Sequence, residues 1–481
     1  MKVKMKIPKY VQDVAKILLE GGFQCYLVGG ALRDIVYGKQ PHDYDLATDA
    51  LPEEMIKIFP KSVSTGIRFG TVIALSADSF GEMHEVEVTT FRSESNYIDG
   101  RWPSSVEFVS DIDMDLGRRD FTFNAMAVDF SKISLDGSEE EKLVEIYDPF
   151  GGVEDIKKGV VKAVGTPLER FKEDGLRAFK ACRLASQFGF SIEEDTFEAI
   201  KESLPVASQI SMERIRDEFM KMILNSPKPS VGIDLMMQSG LLAIFMPELL
   251  EGIGVEQKLF HADDVYWHSL RTCDCAHDSV KLAGLLHDIG KPRTDMGNGH
   301  FYGHDQVGAL MAVEIMRRMK FSQVEIAKVR KLIENHMFYY PHMTEDMSEE
   351  EKRNIEMHSW SDSAVRRFIQ RVGEENIDDL FKLRLADAQS NPNTSFKPEE
   401  ITLLQSRISE IRQQDMVLKV TDLKITGTDL FELGIPKGPA MGNILKELLE
   451  LVIDDPSLNS REGLAKKALE LYSEYSTKFS V

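Results

Sequence analysis

The chain has 481 residues, 42% of them hydrophobic, and a formal net charge of −21. Its length predicts about three domains and its composition an ordinary globular protein, while the negative charge argues against a general nucleic-acid coat protein and leaves room for a local basic groove. Met1-Lys-Val-Lys-Met-Lys-Ile-Pro8 lacks a signal-peptide apolar run, no membrane span is visible, and four scattered cysteines form no Cys-x-x-Cys pair, so a cytoplasmic protein with reduced thiols and no membrane partner is expected.

The first ~150 residues alternate short apolar strands with helices. Phe23 to Val28 reads as a buried strand, Gly29-Gly30 as a turn that lets backbone approach a ligand, and Ala31 to Tyr37 as a helix whose N–H groups favour a triphosphate. Asp43 and Asp45, two apart, are expected on one face of a second strand, where two hard carboxylates can hold Mg²⁺ against phosphate oxygens. Strands are also expected at Phe69–Ser76, Met83–Phe91, Val106–Val109 and Met126–Phe130, with an edge strand at Leu143–Tyr147.

From about Gly151 the pattern turns helical, over Pro167–Phe188, Glu193–Leu204 and Ser211–Leu224. Thr166 and Ser211 read as N-caps, with Pro167 at a first helical position. Residues 151–190 carry eight Lys or Arg against five acids, which suggests a basic groove. Asn391 to Pro398 looks like a linker. The expected fold is α+β: a head over 1–150 with a mixed sheet, a helical neck over 151–255, an all-α domain over 256–395, and a helical tail over 396–481.

Five ordered motifs resemble the bacterial, class II type of tRNA nucleotidyltransferase, the CCA-adding enzymes, whose relatives include poly(A) polymerases and enzymes that add only CC or only A. They are Gly29-Gly30-Ala-Leu-Arg33-Asp34, Asp43-x-Asp45, Glu87 to Arg92, Arg118-Arg119-Asp120-Phe-Thr-x-Asn124, and Glu173-Asp174-Gly-Leu-Arg177. The resemblance is strongest over 23–190. It implies addition of CCA to tRNA from CTP and ATP, with Asp43 and Asp45 holding two Mg²⁺ ions. Glu87 fits either a third acidic group or a salt-bridged structural role. Gly29, Gly30 and Arg33 would hold the triphosphate, with Asp34 an alternative brace for Arg33. Arg119 would touch triphosphate or ribose, and Asp120 and Asn124 would contact ribose or brace a loop.

Asp174 and Arg177, three apart on the expected helix, would accept and donate one hydrogen bond each. Cytosine and adenine both present an amino donor beside a ring-nitrogen acceptor; uracil and guanine present the reverse order. One Asp–Arg pair therefore selects C and A together, with Glu173 orienting Arg177. Lys180 stands where the family often has a second Arg, and loses its planar fork. Arg183 matches the next basic position. Residues 92–105 resemble a full-length version of the family's flexible loop, which favours an enzyme that reaches the terminal A.

His268, His287-Asp288 and Asp387 match the pattern of HD-domain phosphohydrolases, and His304 and His336 could supply a second metal. Imidazoles and carboxylates together suit Mn²⁺, Ni²⁺, Fe²⁺ or Mg²⁺. The alternative is a retained fold that only cradles tRNA. His277 reads as a surface residue, and His261, His300, His342 and His358 receive no role. Gly434, Gly438 and Gly442 could bind RNA backbone or belong to plain helix-turn-helix packing. Poly(A) polymerase and A-adding activities stay open, as does an HD phosphohydrolase with a non-catalytic RNA-binding head. No obligate protein partner is implied.

Overall fold

The computed structural model describes residues 1–481 except 42, 99–101, 258–262, 298, 341–347, 349, 351–358, 392–396, 414–416 and 479–481; side chains are also outside the description at 65, 66, 68, 94–98, 102–106 and 476–478. His261, His342 and His358 therefore lie outside the described residues. The chain forms two compact units, Met1–Leu250 with Arg318–Lys320, and Glu251–Arg317 with Phe321–Val481.

The first unit begins with β1 (Lys2–Met5), α1 (Lys9–Glu20), β2 (Cys25–Val28), α2 (Gly30–Tyr37), β3 (Asp45–Thr48), α3 (Pro52–Ile58), β4 (Ser62–Gly66), β5 (Thr71–Ala77), β6 (Met83–Thr90), β7 (Arg92–Ile98), β8 (Trp102–Phe108), α4 (Ile112–Gly117), β9 (Ala127–Asp129) and β10 (Lys142–Tyr147). Eight of these strands form one mixed sheet in the order β1-β10-β9-β2-β3-β6-β5-β4. β2 and β3 are antiparallel with Val28 opposite Asp45, and β3 and β6 are parallel with Leu46 beside Val88. Alternation along β6 buries Val86 and Val88 and turns Glu85 and Glu87 outward. On α1, Val11, Val14, Ala15 and Leu18 recur at helical spacing and are buried. Full burial of a side chain such as Leu18 is worth roughly 1.5–3 kcal/mol.

Three expectations change here. The basic N-terminus is strand β1, which pairs with β10 and makes the predicted edge strand Leu143–Tyr147 an inner one. Within the stretch expected as a loop, β7 and β8 pair antiparallel as a two-stranded sheet of their own. Asp43 precedes β3, which starts at Asp45, so the two acids do not share a strand.

The helices that follow are α5 (Gly152–Lys158), α6 (Pro167–Glu173), α7 (Leu176–Phe188), α8 (Glu194–Glu202), α9 (Leu204–Ala207), α10 (Met212–Asn225) and α11 (Pro229–Ser239). Thr166 and Ser211 stand at N-cap positions without a side-chain cap bond. The expected single helix over 167–188 is broken. Asp174 is extended (φ −142°, ψ 105°), and its carboxylate accepts the Leu176 N–H at 3.0 Å. Asp competes for backbone donors in this way and favours helix starts.

The second unit is helical. Helices Val265–Cys275, Lys281–Leu286, Gln323–Asn335 and Ile377–Ser390 contribute buried Leu270, Leu285, Ile333 and Leu383. Ser322 and Glu325 form a reciprocal capping box, worth about 1 kcal/mol, which fixes the start of Gln323–Asn335 and so the place of His336 at its end. Toward the C-terminus, Leu430, Ile435, Ile444, Leu448 and Leu464 form a separate apolar core. Among the described residues no helix is long and apolar enough to cross a membrane.

Candidate functional site

The glycine turn of the first unit is built as its residues require. Gly29 has φ +78°, a backbone conformation that disfavours side chains, and a Cβ there would lie 3.2 Å from Asp45 Oδ2 and 3.4 Å from Arg119 Nη1. Asp45 is therefore packed under the turn. Parallel pairing of β3 with β6 brings Glu87 to its side. Burial first, then the charge on Glu87, pushes the Asp45 carboxyl up to about 6, against the opposing pull of Arg119; Asp43 adds to the rise. Asp43 and Glu87 are exposed, and Glu87 enters no ion pair among the described residues. The three acids do not close into a compact ligand group within 4.8 Å. Oxygen donors that repel one another suit a hard cation that would relieve that repulsion.

Around them stands a frame of cations. Arg33 donates Nε and Nη2 to Asp34 Oδ1 at 2.9 and 2.8 Å and Nη1 to Asn124 Oδ1 at 3.1 Å. Its guanidinium also lies 4.8 Å from the Phe188 ring of α7. Asn124 donates in turn to Asp120, and Lys180 of α7 stands 3.7 Å from that carboxylate. Burial pushes Asp120 up, but Lys180 and Asn124 outweigh it and hold the carboxyl below the usual range. Lys180 thus serves the contact between α7 and the head loop.

Arg118 and Arg119 both reach Asp115, at 2.7 and 3.1 Å. Asp115 is 1% exposed, and its two arginines hold it ionised against burial. It was not singled out from sequence, although its i+3 and i+4 spacing to the two arginines just after α4 was a usable signal.

The Arg177 backbone N–H donates to the Asp174 carbonyl at 3.0 Å, but the two side chains take other partners among the described contacts. Arg177, 8% exposed, donates to Glu173 Oε2 at 2.6 Å, to the Arg170 carbonyl at 3.1 Å and to the Arg118 carbonyl at 2.9 Å. Asp174 Oδ2 accepts from Arg214 of α10 at 2.9 Å. Arg214 lies forty residues away and carries no local signal; only the fold brings it in. Arg183 donates to Glu218 of α10 at 2.7 Å and to Gln187 at 3.0 Å, so it ties α7 to α10 and stands apart from the acidic cluster. The expected basic groove is largely neutralised: among the described residues, seven of the eight cations in 151–190 form ion pairs, Lys172 being the exception.

The second unit gathers six ligand-type residues. His268, His287 and Asp387 form one group, and Asp288, His304 and His336 another. His268 Nε2 lies 3.3 Å from His287 Nε2 and 3.1 Å from Asp387 Oδ1. Asp288 stands between the groups: Oδ2 is 3.2 Å from His287 Nε2, and Oδ1 is 3.4 Å from His304 and 3.6 Å from His336. Nδ1 of His287, His304 and His336 each faces a backbone carbonyl, of Gly284, Phe301 and Ile333, at 2.7–2.8 Å, and His268 Nδ1 faces Ser390 Oγ at 3.3 Å. The three carbonyls accept a proton held on Nδ1 of His287, His304 and His336, and all four rings turn Nε2 inward as a ligand.

Gly290 permits the approach, because a Cβ there would lie 2.3 Å from the His304 carbonyl. Lys291 Nζ sits 2.5 Å from Asp288 Oδ2 and is itself held by Gln257 at 2.6 Å; a cation already seeks this carboxylate. Burial opposes a charge on His287, but Asp288 and Asp387 overcome it and push its pKa up to about 10. Asp288 and Asp387 are held well below the ordinary range, against burial, mainly by the charge on His287 and by hydrogen bonds from His268 and His287 respectively. The donor set fits one or two divalent transition ions. In the C-terminal region Gly434 has φ +91° and Gly438 φ +155° before helix Pro439–Asp454, with no described feature that points to RNA.

Residues 25–162 match the family described as Poly A polymerase head domain, 189–252 that of a probable RNA- and SrmB-binding site of polymerase A, and 253–390 the HD domain. These memberships imply divalent-metal dependence. A CCA-adding enzyme of Leuconostoc mesenteroides is 31% identical over 468 residues, 96% of either chain. That of Lactobacillus helveticus is 47% identical over 209 residues, 44% of this chain and 48% of its own length. The crystal structure of the Bacillus stearothermophilus CCA-adding enzyme in complex with CTP shares the fold, with a TM-score of 0.67, 24% identity and 98% coverage of both chains. The chain belongs to the family of CCA-adding enzymes, which are nucleotidyltransferases.

Proposed function

We propose that this protein builds CCA on tRNA 3′ ends from CTP and ATP, without a nucleic-acid template. Asp43, Asp45 and Glu87 would hold Mg²⁺ below the Gly29–Arg33 turn. When bound, the cations make the 3′-hydroxyl a better nucleophile and offset charge on the triphosphate. Arg33 and Arg119 would grip phosphate oxygens. Asp174 would accept from the amino group of C or A, and Arg177 would donate to the neighbouring ring nitrogen. The 3′-oxygen bonds to the α-phosphorus, its proton leaves, and pyrophosphate departs.

The observation that carries this reading is the Arg177 hydrogen bond to the Arg118 carbonyl, one residue from the Arg119 guanidinium at Gly29. It joins the base-selecting residues to the acidic cluster in one unit. Transcripts ending before CCA, after C and after CC, each offered CTP, ATP or both, test it. The expected products stop at CCA; a run of A on every transcript would mark a poly(A) polymerase.

The Asp288-bridged centre supports a second activity, metal-dependent hydrolysis of phosphoesters with Mn²⁺, Ni²⁺, Fe²⁺ or Mg²⁺. Its residues would hold the cations, and Lys291 and Arg384, which line the adjoining cavity, would neutralise the ester's phosphate. Water adds to phosphorus, the ester P–O bond breaks, and the leaving oxygen takes a proton. Phosphate release with each metal in turn tests this, and none with any metal would leave only a structural role.

A further inference from the structure

Helix α7 ends on Phe188, whose ring is only 5% exposed. Its neighbours fix it. Tyr37 of α2 meets the ring edge-on, with centroids 4.9 Å apart and planes at 78°, and the Tyr37 hydroxyl donates to the Phe188 carbonyl at 3.0 Å. Phe190, beyond the left-handed turn at Gly189, packs with its centroid 5.6 Å away. Against this ring lies the Arg33 guanidinium, 4.8 Å from the centroid, and Lys39 Nζ stands 5.1 Å from it. Hydrogen bonds to Asp34 and Asn124 engage three of the five Arg33 N–H groups. Those bonds fix the guanidinium within its plane, and a ring against its face limits its tilt. Gly30 leaves the space for this pose, since a Cβ there would lie 3.3 Å from Arg33 Nη2.

We infer that Phe188 is a positioning residue for the phosphate end of the nucleotide: its ring holds the Arg33 guanidinium in the pose that leaves the two remaining N–H groups for phosphate oxygens. This role rests on Arg33 as a triphosphate grip and adds the residue that orients it. A cation gains most from an aromatic ring where water is excluded, as it is around a ring this buried. Arg177, on the base side, sits at the start of the same helix, about 16 Å from Phe188 along its axis. Loss of the ring should therefore weaken the triphosphate contact and leave the choice of base intact.

The test measures single additions by the full chain with Mg²⁺: CTP onto transcripts ending after C, and ATP onto transcripts ending after CC. Phe188→Leu keeps an apolar side chain and removes the ring. The expected result is a KM about three- to tenfold higher for both nucleotides, with kcat near that of wild type and the preference for CTP over UTP unchanged. Phe188→Tyr, which keeps the ring face, should restore KM, and Phe188→Leu should add nothing in an Arg33→Ala background. Thermal melting checks that each variant is folded; if Phe188→Leu is not, Phe188→Met replaces it. An unchanged KM in the folded variant, a rise of equal size on top of Arg33→Ala, or a matching loss of CTP preference would overturn the positioning role. The grip itself is scored separately. A KM unmoved by Arg33→Ala refutes the grip and the positioning with it, whereas a KM raised by Arg33→Ala and not by Phe188→Leu refutes the positioning alone.

Discussion

The two candidate sites differ in how finished they are without their ligands. In the HD centre six donors are already within 4.8 Å in two groups, and each imidazole has its Nδ1 engaged. In the head, Asp45 is partly buried, Asp43 and Glu87 are exposed, and the three do not gather. The difference fits two tasks. A centre that keeps its metals can be rigid before they arrive. A site whose cations arrive with a triphosphate and leave with pyrophosphate gains from acids that stay apart until then.

The largest effect should come from the head. Asp45→Asn is expected to lower nucleotide addition by about 10²–10³-fold or more, as removal of a main electrostatic group does. It should also stabilise the metal-free fold. Asp45 is raised from the ordinary 3.8 to about 6 in the folded chain. Below ~pH 4 both folded and unfolded chains carry it protonated, and the fold bears no penalty. Above that the penalty grows, and past pH 6 it is complete, at most about 3 kcal/mol. Urea denaturation in chelator should show Asp45→Asn more stable at about pH 7.5 and indistinguishable near pH 4. A loss of stability at neutral pH would contradict the account of Asp45 as a strained ligand.

Next comes the metal content of the HD centre. Asp288→Ala, which removes the bridge, should lose all bound Mn²⁺, whereas His336→Ala should lose only the share held by its own group. Equal metal loss in both would mean a single shared ion. Since His287 is held charged up to about pH 10 in the metal-free protein, uptake must displace that proton. Apparent affinity should therefore rise with pH through the neutral range, and a flat profile would show that His287 is not a ligand.

Selectivity should change by less. Asp174→Ala or Arg177→Ala should cost roughly 5–150-fold in discrimination against U and G, the equivalent of one mismatched buried group. Competition among all four nucleotides measures it; unchanged selectivity at a reduced rate would assign both residues to structure. Smallest is Arg214→Ala, about three- to tenfold in the same assay, with partial recovery in Arg214→Lys. No change would mean that Asp174 orients itself.

What was readable from sequence follows from how local each signal is. Gly29, Gly30, Asp43 and Asp45 lie within one strand-turn-helix-strand unit, and His287-Asp288 is contiguous, so their chemistry shows in short windows. β1 escaped notice because its pairing with β10 crosses some 140 residues of chain, as Lys2 opposite Glu145 shows. The break at Asp174 was hidden by unbroken helical periodicity; a side-chain bond to Leu176 N–H decides it. That break takes Asp174 off the helix on which it was expected beside Arg177. Arg214 donates to its carboxylate from α10, and no spacing rule reaches it.

The claim that the chain carries two separate metal chemistries is tested most directly by assaying CCA addition and phosphate release side by side in wild type, Asp45→Asn and Asp288→Ala. The account predicts that Asp45→Asn loses addition and keeps phosphate release, and that Asp288→Ala loses release and keeps addition within several-fold. Loss of CCA addition in a folded Asp288→Ala protein would contradict it.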